Sequence, residues 1–325
     1  MAPNSLDEQL TKYLTDAHSI EQQALAQMRT APDLARDPFL TEAFRNHLYE
    51  TEEHERLVRE RLEARGASPS TVKDLVGTIT GKGFVAFARS QPDTPGKLVA
   101  HAFSYEHMEV AAYEFLRRVA DRAGDAATAQ VARRILVQEE EMGERLGDSF
   151  GKAVDAALEE VSPSNLGDQL DSYLADAHAI EAQAIQLLGK SPQLAGAPQL
   201  ANLYEEHLAE TEQHQRLIAE RLEARGSSPN RLKDAALRLG ALNWGLFFAA
   251  QPDTPAKLAG FAYAFEHLEI AAYELLWRVA ARAHDPETES VAQRILTEER
   301  TAASRIHGRF EVALEEALSE QGVAA

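Results

Sequence analysis

The chain has 325 residues, 44% of them hydrophobic and 26% charged, enough for two ordinary domains that each build a core. Against 33 Lys and Arg stand 52 Asp and Glu, a formal net charge of −19 that argues against nucleic acid or an anionic membrane surface as partner. The absence of cysteine excludes disulfides, thiolate zinc sites, iron–sulfur clusters and a rubredoxin-type iron centre within the chain.

The apolar residues step by three and four throughout, so every expected element is a helix. The first runs from about Leu6 to Ala31 and places Leu10, Leu14, Ala17, Glu21, Ala24 and Met28 on one seam, with Glu21 in its middle. The second is opened by Asp37-Pro38, closed by Gly66, and expected from about Pro38 to Arg65. It sets His47, Glu50 and His54 in one sector, bracketed by Leu40, Phe44, Leu48 and Leu57. A shorter crossover helix is expected from Ser70 to Ser90. The third long helix, from about Pro95 to Ala123, carries Leu98, Ala102, Tyr105, Glu109, Ala112, Leu116 and Val119 on its seam, with Glu106 beside it. The fourth, from about Ala126 to Glu160, carries Ala132, Ile135, Glu139, Met142, Leu146 and Phe150.

The chain then repeats itself at a constant offset of 160 residues. HLYETEEHERLVRERLEARG (His47 to Gly66) is answered by HLAETEQHQRLIAERLEARG (His207 to Gly226), and YEHMEVAAYEFL (Tyr105 to Leu116) by FEHLEIAAYELL (Phe265 to Leu276). QPDTP occurs at Gln91 to Pro95 and again at Gln251 to Pro255. The expected domains are residues 1–161 and 162–325, each an all-α four-helix bundle with a crossover helix between its second and third long helices. In the second copy the crossover carries Trp244, Phe247 and Phe248, expected to be buried, with a partner or lipid-tail groove as the other reading.

Each long helix thus places a carboxylate or a histidine where the core should be, at similar heights. An isolated buried carboxylate would cost several kcal/mol or take up a proton. No Lys or Arg falls on these seams to offset the group, and the same residue types recur as Glu181, His207, Glu210, His214, Glu266, Glu269 and Glu299. Two metal ions per repeat are the simplest explanation, since carboxylates with imidazole suit iron, manganese or zinc. The competing reading is a protonated, hydrogen-bonded carboxylate core. His47 is open between ligand and outer partner of a ligand, whereas His18 and His178 are expected outside the ligand set. Tyr113 and Tyr273 read as core tyrosines bonded to a carboxylate or, alternatively, as redox-active groups.

On HLYET, YEHMEVAAY, QEEEM and the TEERT of the second copy, the sequence resembles the YciF-type branch of the ferritin-like superfamily, twice over and along nearly its whole length. The resemblance implies tandem ferritin-like bundles and a di-iron-type centre in a stress-related protein. It implies Glu21 and Glu139 as terminal ligands, Glu50 and Glu106 as bridges, His54 on one ion and Glu109 as an additional carboxylate. The matching positions of the second copy are Glu181, Glu210, His214, Glu266, Glu269 and Glu299. The sequence departs from the common Glu-x-x-His pattern: Glu50 and His54 are four apart, and Met142 and Ala302 stand where the fourth helices would offer histidine.

Three functions follow as alternatives. One is an oxidase- or peroxidase-type oxidoreductase using iron or manganese with dioxygen or peroxide; the others are a metal-sequestering protein and a structural helical protein with a vestigial site. Metal ions and a small oxidant are the expected partners, with the two bundles paired within the chain. The residues from Met1 to Leu6 show no basic or apolar leader, and no run of about 20 apolar residues occurs, so a cytoplasmic protein without a membrane span is expected.

Overall fold

A computed structural model describes residues 5–69, 94–228 and 253–323, and among these every regular element is helical. The chain divides into two compact units that part at Glu159 and Glu160. The first contains α1 (Leu6–Met28), α2 (Ala31–Leu34), α3 (Pro38–Ala64), α4 (Thr94–Arg122), α5 (Ala126–Gly147) and α6 (Phe150–Leu158). After a single 3₁₀ turn at Pro163–Asn165, the second repeats the order as α7 (Leu166–Leu188), α8 (Ser191–Leu194), α9 (Pro198–Ala224), α10 (Thr254–Arg282), α11 (Pro286–His307) and α12 (Phe310–Glu320). Both expected crossover helices, with Trp244, Phe247 and Phe248, lie outside the described residues. No described helix is long and apolar enough to cross a membrane.

The helix boundaries follow from capping chemistry. Ser5 accepts from the Glu8 N–H, Asp37 from Leu40 and Asp125 from Thr128, so each side chain satisfies a backbone donor that the first turn leaves open. Gly66 and Gly226 follow α3 and α9 with φ of 70° and 75°, the left-handed conformation in which an added Cβ is disfavoured. The repeated RLEAR tract acquires its purpose here. Arg61 and Arg65, at the end of α3, hold the Asp125 cap of α5 at 3.0 and 2.9 Å, and Arg221 and Arg225 hold Asp285 at 3.1 and 2.7 Å.

Two boundaries differ from expectation. The first long helix stops at Met28, because Pro32 has no N–H to continue the ladder and the chain restarts as α2. The fourth is broken between Gly147 and Phe150, where the Ser149 hydroxyl donates to the Leu146 carbonyl at 2.8 Å. Gly, Asp and Ser are weak helix formers, while the apolar stripe continues across them to a buried Phe150. Periodicity therefore runs through a break that the backbone makes.

In the first unit α1 packs on α3 and α4, α4 on α5, and α5 on α3, which closes a ring of four long helices. The corresponding ring in the second unit is α7, α9, α11 and α10. Within the first ring Leu10, Leu14, Phe44, Leu62, Leu116 and Leu146 are almost wholly excluded from solvent. Glu21, His47, His54, Glu106, Glu109 and Glu139 are buried equally deeply within that apolar shell.

Candidate metal centres

The seam residues of α3 are Leu40, Phe44, His47, Thr51, His54, Val58 and Leu62, all buried. His47 and His54 are seven residues apart, two helical turns, and so face the interior together. The α4 helix supplies Glu106 and Glu109 one turn apart, while α1 and α5 each supply one carboxylate, Glu21 and Glu139.

These side chains form two overlapping groups. His47, Glu106, Glu109 and Glu139 each offer one ligand-type atom, all within 4.8 Å of one another, and Glu21, His54 and Glu139 do the same. His47 Nε2 lies 3.1 Å from Glu106 and 3.5 Å from Glu139; His54 Nδ1 lies 2.8 Å from Glu139 and 3.9 Å from Glu21. Glu139 belongs to both groups. The second unit reproduces the pattern with His207, Glu266, Glu269 and Glu299, and with Glu181, His214 and Glu299. There the histidine contacts are 2.8 and 3.7 Å for His207 to Glu266 and Glu299, and 2.8 and 4.0 Å for His214 to Glu299 and Glu181.

Glu50 and Glu210 are not members of either group. Each is part-exposed, one turn from the histidine it serves: Glu50 lies 3.0 Å from His47 Nδ1, and Glu210 3.2 Å from His207 Nδ1. A proton on Nδ1, shared with that carboxylate, leaves Nε2 as the inward lone pair. The steps of four and three from Leu40 pass through His47, Thr51 and His54 and miss Glu50. Tyr113 and Tyr273 donate across the core to Glu21 and Glu181 through short hydrogen bonds, rather than to the carboxylate one turn back. His18 pairs with Glu55 at 3.0 Å, away from both groups.

Electrostatics inside the ring are severe. Burial, compounded by Glu139, Glu21 and Glu106, pushes the Glu109 carboxyl well above the usual carboxylate range, and Glu269 is driven up in the same way. Burial raises Glu21 and Glu181 to about 8, and Glu106 and Glu266 to about 7. For Glu139 burial works in that direction too, but the imidazoles of His54 and His47 outweigh it and hold the group below its ordinary value. His47 is correspondingly raised, Glu106 overcoming the burial that opposes its charge.

Both carboxylate oxygens of Glu109 and of Glu269 are buried without a hydrogen-bond partner, as are Oε2 of Glu21 and Oε2 of Glu181. Buried polar atoms are ordinarily satisfied, and each orphan carries a desolvation cost of a few kcal/mol. The donor set fits cations well: per repeat, four carboxylates and two imidazoles would balance the charge of two divalent ions.

The family model described as a domain of unknown function, DUF892, matches residues 5–159 and again residues 165–319. No solved structure matches the chain.

Proposed function

Starting from the fact that the chain belongs to the DUF892 family, with one domain in each repeat, we propose that each repeat is a ferritin-like bundle holding a pair of iron or manganese ions. Glu21, His54 and Glu139 would hold one ion, and His47, Glu106 and Glu109 the other, with Glu139 shared between them. In the second repeat Glu181, His214 and Glu299 would take the first role, and His207, Glu266 and Glu269 the second. The observation that carries this reading is the pair of orphaned carboxylate oxygens on Glu109 and on Glu269, buried beside three further carboxylates.

Such a pair of ions supplies redox equivalents and Lewis acidity toward a small oxidant such as dioxygen or peroxide. The protein's own part is to hold the donors and to exclude bulk water. Glu50 and Glu210 fix the tautomer of His47 and His207. Tyr113 and Tyr273 fix one oxygen of Glu21 and Glu181, leaving the other for a cation. The apolar shell raises the affinity of the carboxylate group for positive charge, because few other dipoles are near enough to compensate it. Stress-related redox chemistry is the function proposed; metal binding without turnover is the second reading, favoured by the lack of histidine at Met142 and Ala302.

Elemental analysis after expression with iron and manganese supplements tests the assignment. About four ions per chain are expected, lost by about half in Glu139→Gln and almost entirely in Glu139→Gln/Glu299→Gln. Glu50→Gln should retain its metals with weakened affinity. A folded wild-type chain with no bound metal would overturn the reading and leave a proton-satisfied structural core.

A further inference from the structure

The two repeats present the same six inward groups, yet the atoms behind one pair of histidines differ. His54 points Nδ1 inward, 2.8 Å from Glu139, and its outer Nε2 faces the side-chain amide oxygen of Gln138 at 3.1 Å. His214 points Nδ1 inward in the same way, 2.8 Å from Glu299, but its Nε2 faces the Glu298 carboxylate at 2.7 Å. The other histidines serve as an internal control, since His47 and His207 are backed by a carboxylate in both repeats, Glu50 and Glu210.

The chemical consequence follows from where the proton sits. A histidine that binds a cation through Nδ1 keeps its proton on Nε2. An amide oxygen accepts that proton as a neutral dipole. A carboxylate accepts it in a charge-assisted bond, draws electron density onto the ring, and makes the inward nitrogen a stronger donor. It also adds a negative charge behind the ring. The other oxygen of Glu298 is engaged by Arg294 at 3.0 Å, and the side chain is 37% exposed, so the effect is tempered but not cancelled. Three nearby exchanges run the opposite way: Glu53 and Glu55 in the first repeat against Gln213 and Gln215 in the second, and Glu140 against Arg300. Of these Glu53 is held by Arg56 at 2.7 Å. Glu55, however, is turned to His18 and Arg59, at 3.0 and 3.4 Å, and not to an inward group.

We infer that the two centres are unequal: the Glu181–His214–Glu299 subsite binds a divalent cation more tightly than Glu21–His54–Glu139, so the chain loads its second repeat first. The inference rests on reading each repeat as a metal centre. Glu298 and Gln138 are positioning residues that act through the histidines and need touch no ion. The duplication then produces a graded pair of sites rather than two equal ones, the tighter holding its ions when the looser has released them.

The test is titration of the full chain with cobalt(II), followed by calorimetry and by visible absorption. Beside uptake at the matched His47 and His207 subsites, wild type should show two further loading steps separated by about tenfold in affinity, the lower end of what such outer partners contribute. His214→Ala should remove the tight step and His54→Ala the weak one. Glu298→Gln should bring the tight step down to the weak one, and Gln138→Glu should raise the weak one. In the doubly exchanged chain, Gln138→Glu/Glu298→Gln, the tight step should instead be the one that His54→Ala removes. These exchanges are nearly isosteric, and circular dichroism verifies the fold of each variant. Cobalt uptake in steps that neither exchange moves, or first filling of the His54 subsite, would overturn this inference and leave the metal reading standing. No uptake by folded wild type would overturn both.

Discussion

At the level of single residues the core is a contest between burial and charge. Glu21 carries one oxygen satisfied by Tyr113 and one without any hydrogen-bond partner. On the metal reading the hydroxyl would select which oxygen faces a cation and would hold the carboxylate rotamer before binding. Tyr113→Phe should leave the fold intact and weaken cation binding at Glu21–His54–Glu139 by about tenfold, an effect typical of removing an outer partner. Cobalt titration beside Tyr273→Phe reads this, and an unchanged affinity in both variants would reduce the tyrosines to packing. Glu50 shows how a residue's role is legible once its register is followed strictly. The buried steps of α3 run through Thr51, and Glu50 lies at the rim beside His47.

Between elements the clearest device is the joint of α3 with the start of α5. Asp125 caps α5 and accepts from Arg61 and Arg65 together. Partial burial opposes its ionisation, yet the Thr128 hydrogen bonds and Arg61 prevail and hold it at about 2, below the ordinary 3.8. A depressed acid of this kind contributes stability above the unfolded value, lost as pH falls from 3.8 through about 2. Asp125→Ala should therefore cost about 1–2 kcal/mol at neutral pH, in the range for loss of a capping aspartate, and the difference from wild type should shrink in acid. Urea midpoints at pH 7 and pH 2.5 measure it, and an equal cost at both would mean that the charge is not involved. The break between α5 and α6 belongs to the same scale: a hydroxyl and a glycine interrupt a backbone whose apolar face runs on unbroken.

For the chain as a whole, the acidic cores make stability depend on what fills them. Glu21 and Glu181 at about 8, and Glu106 and Glu266 at about 7, all start from 4.5 in the unfolded chain, and burial is the leading cause. Raised acids bind more protons folded than unfolded. Their contribution is fully present below pH 4.5 and is lost as pH rises through 7 to 8. The metal-stripped chain should accordingly grow less stable across that window. With manganese added the trend should reverse, because cations compete with protons for the same oxygens and bind better as pH rises. Thermal melts between pH 5 and pH 8, with manganese and with a chelator, separate the two regimes; parallel curves would show that no cation enters the core.

The duplication, the helical periodicity and the central carboxylates on α1, α4 and α5 are properties of the one-dimensional pattern, and the sequence by itself determined them. A repeat is visible as identity at a fixed offset, and a buried seam as steps of three and four, since both depend only on spacing along the chain. Tertiary structure decided what depends on neighbours from other helices. It made Glu139 the member common to two groups, drew Tyr113 to Glu21 across the core, placed Gln138 and Glu298 behind equivalent histidines, and gave the RLEAR arginines their aspartate. Partners that lie 92, 84 and 64 residues apart in sequence are brought together by packing alone, and no periodicity within a single helix encodes which side chain will face it from the next.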